Sequence, residues 1–131
     1  ARAGAESQES STGGIPAGRR DMIRVQYDAQ RLRLSVSGHA GSAPKGQDLV
    51  CAAATTLVYT AAQMLREAED EGLAEDVRFW ADDGKAELVA KAKPGADKEL
   101  TGRMEAVCIG FRMLEKNYPK FIRVEGRKAT P

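Results

Sequence analysis

A chain of 131 residues with 42% apolar and 30% charged side chains is sized for one domain with a modest core, and its composition is globular, not disordered. Its net charge of +1 gives no overall electrostatic pull, and no apolar run approaches the roughly 18 residues that cross a bilayer. Neither direct nucleic-acid binding nor a membrane partner is therefore expected. With a single histidine, two cysteines far apart and no glycine-rich phosphate loop, no metal centre and no cofactor is expected either.

Residues 1–21 are dominated by Gly, Ser, Ala, Gln and Glu, and Ile15 is their only large apolar side chain. Such a segment cannot bury enough surface to offset its ordering entropy. A disordered leader or an expression-tag remnant is expected there, with the domain over 22–131. From Met22 the pattern alternates. Ile23, Val25 and Tyr27 are interleaved with Arg24 and Gln26, which predicts a half-buried strand. After the short turn Asp28-Ala29-Gln30, Leu32, Leu34 and Val36 alternate with Arg31, Arg33, Ser35 and Ser37, a second strand joined to the first as a hairpin. A helix is predicted from Gly46 or Gln47 to about Glu71, with Gly72 at its C-terminal cap. Its expected core stripe is Leu49 or Val50, Ala53, Leu57, Ala61, Met64 or Leu65, and Ala68.

Val77, Phe79 and Ala81 then alternate with Arg78 and Trp80 in a third strand. Asp83-Gly84 is a preferred hairpin dipeptide, and a fourth strand is predicted over 87–93, closed by Pro94-Gly95. The second helix is expected from about Asp97, as its cap, to Asn117, with Leu100, Met104, Val107, Phe111, Leu114 and Tyr118 on its apolar stripe. Pro119 stops it, a short strand follows over 121–125, and the tail from Gly126 is expected to fray. The order ββαββαβ with hairpin connections predicts an α+β domain, a mainly antiparallel sheet with two helices on one face.

The candidate chemistry lies between the second strand and the first helix. His39 stands where the strand runs out, and Cys51 lies near the start of the helix, where unpaired N–H groups favour a thiolate. A packed core thiol is the bland alternative for Cys51, since free cysteine is among the most buried residue types. Against it, Cys51 shares a helical face with Gln47, Asp48 and Thr55. His39 is the only side chain with an ordinary pKa near neutrality, so it is the base if Cys51 is a nucleophile. Asp48 either stabilises the helix start or orients the imidazole. Cys108, flanked by Val107 and Ile109, is read as a core residue.

The run Gly38-His39-Ala40, followed by Gly46-Gln47-Asp48-Leu49-Val50-Cys51-Ala52-Ala53-Ala54, resembles the signature of the ribosomal-processing cysteine protease family, Prp. Leu114 to Pro119, followed by Ile122-Arg123-Val124, is similar to that family's C-terminal end, so the likeness spans Met22 to about Glu125. The resemblance implies a cytoplasmic, homodimeric thiol protease with a Cys51/His39 dyad. Its implied substrate is the N-terminal extension of bacterial large-subunit ribosomal protein twenty-seven, whose removal supports ribosome assembly. Asp48 and Thr55 would be helpers, Thr55 standing where the family commonly has serine. The loop of Gly38, Gly41, Ser42, Ala43, Pro44, Lys45 and Gly46 would close over the peptide; it lacks the aromatic often found there. Trp80 and Val89 are exposed-face candidates for the dimer. The competing expectation is a non-catalytic ribosome- or precursor-binding module in which Cys51 only packs.

Overall fold

The computed structural model describes residues 22–38, 45–82 and 84–127; the leader over 1–21 lies outside them. Strands β1 (Ile23–Asp28), β2 (Arg33–Ser37), β3 (Ala74–Asp82), β4 (Lys85–Ala92) and β5 (Ile122–Arg127) alternate with helices α1 (Lys45–Asp70) and α2 (Asp97–Asn117) in the order ββαββαβ. The five strands form one sheet ordered β3-β4-β2-β1-β5. Every pairing is antiparallel except β1 with β5, which is parallel. This is the expected α+β architecture.

Period-two alternation explains the sheet. Ile23, Val25 and Tyr27 of β1 are buried while Arg24 and Gln26 are exposed, so one face carries the core and the other faces outward. The helices lie on the buried face. α1 contributes Val50, Ala54, Val58, Ala61, Ala62, Leu65 and Ala68, and α2 contributes Leu100, Met104, Val107, Cys108 and Phe111. The observed stripe of α1 keeps the expected Val50, Ala61, Leu65 and Ala68 and shifts by one residue between the first two of these. Ala54 and Val58 face the sheet in place of Ala53 and Leu57, and Leu49 is 64% exposed. Leu57 instead meets α2: a Cβ built on Gly110 would stand 2.8 Å from its Cδ2. Glycine therefore lets the two helices approach at that point. By length and composition Leu49–Asp70 could cross a membrane; here its apolar stripe roofs the sheet.

Several boundaries move for identifiable reasons. α1 already includes Lys45 and Gly46, so the expected substrate loop is shorter by two residues. The C-terminal end matches a Schellman motif at Gly72, with Gly72 N–H donating to Glu69 O and Leu73 N–H to Ala68 O. Asp97 is the first residue of α2 and not its cap; Ala96 caps it, with no side-chain hydrogen bond. Between β1 and β2, Leu32 turns at φ 48° and is buried, so β2 starts only at Arg33. β3 begins three residues earlier than expected because of an irregularity in its pairing. Glu75 pairs with Lys91 and Arg78 with Val89, so β3 carries one extra residue there, and the bulge breaks its alternation. β5 runs on through Gly126 and Arg127.

Phe111 is fully buried at the centre of the core. Phe111→Ala should lower the unfolding free energy by about 3–5 kcal/mol, read as a shift in urea midpoint at unchanged slope; a change under about 1 kcal/mol would contradict this packing.

Candidate active site

One end of the sheet gathers the start of β1, the end of β2 and the β3–β4 turn, and the N-terminal half of α1 lies across it. β2 ends at a constrained point. Gly38 has φ +96°, and a Cβ built on it would stand 2.4 Å from the Met22 carbonyl oxygen. Only glycine fits, because the chain's own backbone occupies that space. Its requirement is thus set within the fold and not by room left for a substrate. The Gly38 N–H donates to the Gly84 carbonyl oxygen at 2.8 Å, which ties the end of β2 to the hairpin turn.

Between this end of the sheet and α1 lies a cleft of about 290 Å³. Ile23, Val36, Ala81 and Ala86 give it an apolar floor, Asp82 and Lys85 stand at its charged margin, and Cys51, Ala54, Thr55 and Tyr59 line the α1 side. Cys51, Thr55 and Tyr59 are spaced by four, so they lie along one slowly turning stripe of the helix. Cys51 is half-buried and opens into this cleft, whereas Cys108 is 2% exposed in the core. No disulfide joins them. Burial pushes the Cys108 thiol up to about 11, which agrees with its assignment as a packing residue.

Cys51 is the seventh residue of α1, deeper in the helix than the expected start at Gly46 or Gln47 implied. The unpaired N–H groups belong to the first four helical positions, and the dipole effect falls off within the first turn. A neighbouring base must therefore supply more of any activation. The Thr55 hydroxyl donates to the Cys51 carbonyl oxygen at 2.8 Å, so it is engaged in the helix backbone one turn below the thiol. His39 and the loop positions Gly41, Ser42, Ala43 and Pro44 lie outside the described residues, as do the side chains of Lys45 and Asp48. Gly38 and Cys51 share the cleft, so His39 follows directly from a residue lining the same cavity as the thiol.

Sequence reading missed Tyr59, Phe79, Ala81, Asp82 and Lys85. The Tyr59 ring packs edge-on against Phe79, with centroids 5.2 Å apart and an interplanar angle of 74°. Its i+8 spacing from Cys51 was a usable signal. The hairpin residues join the site only through tertiary structure, which no local pattern reveals.

The family described as cysteine protease Prp matches residues 22–123. The chain is 34% identical over 104 residues to the ribosomal processing cysteine protease Prp of Mycoplasma pneumoniae, covering 79% of this chain and 96% of that protein. Among solved structures, a Streptococcus mutans protein superposes with a TM-score of 0.63 at 24% identity, covering 86% of this chain and 99% of that one. The essential ribosomal processing protease Prp of Staphylococcus aureus, in complex with a covalently linked product peptide, gives a TM-score of 0.58 at 18% identity, covering 81% and 100%. These two structures share the fold.

Three outcomes are expected. Gly38→Ala should destabilise the protein by roughly 1–3 kcal/mol from backbone strain alone, measured by chemical denaturation. Iodoacetamide at neutral pH should label Cys51 in the folded protein and reach Cys108 only after unfolding. Because the folded Cys108 pKa is raised from 9.0 to about 11, its contribution to stability is complete below about pH 9. It should be lost as pH rises toward 11, where the unfolded thiol ionises first. Cys108→Ala should flatten that part of the stability profile.

Proposed function

The chain belongs to the cysteine protease Prp family, and from that membership we propose that Cys51 is the nucleophile and His39 the base of a peptide-cleaving dyad. The observation that carries this reading is the half-buried Cys51 thiol opening into a cleft with an apolar floor. The proposed substrate is the N-terminal extension of large-subunit ribosomal protein twenty-seven, an apolar peptide suited to that floor.

In the reaction the imidazole takes the Cys51 proton, and the thiolate sulfur bonds to the scissile carbonyl carbon. The carbonyl electron pair moves to oxygen, and backbone N–H groups near the start of α1 are the proposed donors to the oxyanion. As the intermediate collapses the C–N bond breaks, and the imidazolium protonates the departing amine. Water, deprotonated by the same imidazole, then releases the acyl group and restores the thiol. Asp48 is assigned to orienting the imidazole, and Thr55 to holding the helix backbone beneath the sulfur. The loop from Gly38 to Gly46 is proposed to close over the peptide. The protein would work as a homodimer in a reducing cytoplasm, where an unprotected thiol survives. Trp80, 52% exposed on the uncovered sheet face, and Val89 beside it are the proposed dimer contacts.

A peptide spanning the junction between extension and mature protein tests this. The parent protein should cleave it, Cys51→Ala should not, and His39→Ala should be slower by roughly 10²–10⁴-fold. Cleavage that survives Cys51→Ala removes the dyad. Binding of the peptide by the parent protein without cleavage would make this a precursor-binding module.

A further inference from the structure

β3 is an edge strand, and among the described residues it pairs only with β4. Its two halves differ. The N-terminal half carries the bulge between Glu75 and Arg78, has Asp76 at φ 54°, and is crossed by the Asp76–Lys91 ion pair at 3.6 Å. Kinks and charges of this kind discourage another strand from pairing with an edge. The C-terminal half, from Arg78 to Asp82, runs in regular register with β4. It is this unguarded half that reaches the cleft, where Ala81 and Asp82 lie across from Cys51.

The hydrogen-bond phase of that half follows from a bond already described. Gly38 N–H donates to Gly84 O, so Gly84 faces β2. Backbone groups point alternately to the two sides of a strand. Ala86 and Leu88 then also face β2, and Lys85, Glu87 and Val89 face β3. Their partners Asp82, Trp80 and Arg78 turn their N–H and C=O groups toward β4. Phe79 and Ala81 present theirs to the free edge, with side chains on the α1 side, where Phe79 meets Tyr59 and Ala81 floors the cleft.

We propose that the peptide substrate docks as an added strand on the free edge of β3, hydrogen-bonded to the backbones of Phe79 and Ala81 and passing between that edge and the Cys51–Thr55–Tyr59 stripe. Strand addition of this kind takes its affinity from main-chain bonds and its specificity from alternate side chains. Substrate residues opposite Phe79 and Ala81 point toward Tyr59 and the apolar floor, and the residue opposite Trp80 points to the uncovered face. The inference rests on the reading of Cys51 as a peptide-cleaving thiol and adds the means by which the chain is held.

The test is a scan of the junction peptide with one backbone N-methyl group per analogue. Methylation at alternate residues should cut kcat/KM roughly tenfold or more through a lost hydrogen bond and a steric clash, and the intervening positions should change less than twofold. A response without that period of two, on a peptide otherwise cleaved normally, overturns strand addition and leaves the cleavage reading standing. Amide exchange in Cys51→Ala supplies a readout independent of turnover. Unmethylated peptide should protect the Phe79 and Ala81 amides and leave Trp80, already in the ladder, unchanged. If those two amides are protected without peptide in a concentration-dependent way, the edge belongs to a second copy and the proposal falls. If the peptide is neither cleaved by the parent nor protective in the variant, both readings fall.

Discussion

A single backbone hydrogen bond, from Gly38 to Gly84, sets the geometry on which the rest depends. It holds the end of β2 against the β3–β4 turn and fixes which backbone groups of the hairpin face inward. It also requires Gly38 to turn with φ +96° against the Met22 carbonyl. One side of this junction carries the sheet into the core, and the other launches the chain toward α1. The cleft beside Cys51 exists because α1 then returns across the same end of the sheet. No side chain takes part in that bond, so sequence variation on either strand leaves it intact as long as the glycine remains.

The two cysteines show how place in the fold separates chemically identical groups. Cys108 faces a core of Leu100, Met104 and Phe111 on its own helix, and burial disfavours its ionised form. Cys51 lies on a stripe that leaves the core sideways, with Thr55 and Tyr59 after it. Both sit in amphipathic helices, and the difference is the angle each makes with the sheet. On a helix, one residue position, about 100° of rotation, is enough to separate a packed thiol from one that lines the wall of a cavity.

Much of this could be read from the residues, for physical reasons. Strands with one buried face announce themselves by alternation, as in Ile23, Val25 and Tyr27, and Gly72 announces the end of α1. The Cys108 assignment needed only its apolar neighbours. The one-residue shift within the α1 stripe was hidden because alanines fill both the packed and the exposed sides, so hydrophobicity hardly distinguishes Ala53 from Ala54. The early part of β3 was hidden because the extra residue between Glu75 and Arg78 destroys the period-two signal. The walls of the cleft were hidden for a different reason. Tyr59 touches Phe79 across 20 positions of sequence, and such contacts are properties of the tertiary fold. The position of Cys51 in its helix depended on a boundary, and two residues at that boundary change how much the helix itself does for the sulfur.

The parallel pairing of β1 with β5 bears on how the protein is made. Ile23 lies in register with Ile122, and its N–H is held by Phe121, so the first strand waits for the last before its outer side is filled. Contacts this distant in sequence are slow to form, and during translation they cannot form until the C-terminal strand has left the exit tunnel. Ile23 is also part of the cleft floor. The strand that supplies part of that floor is therefore held on its outer side by the last strand of the fold, a contact that spans nearly the whole domain.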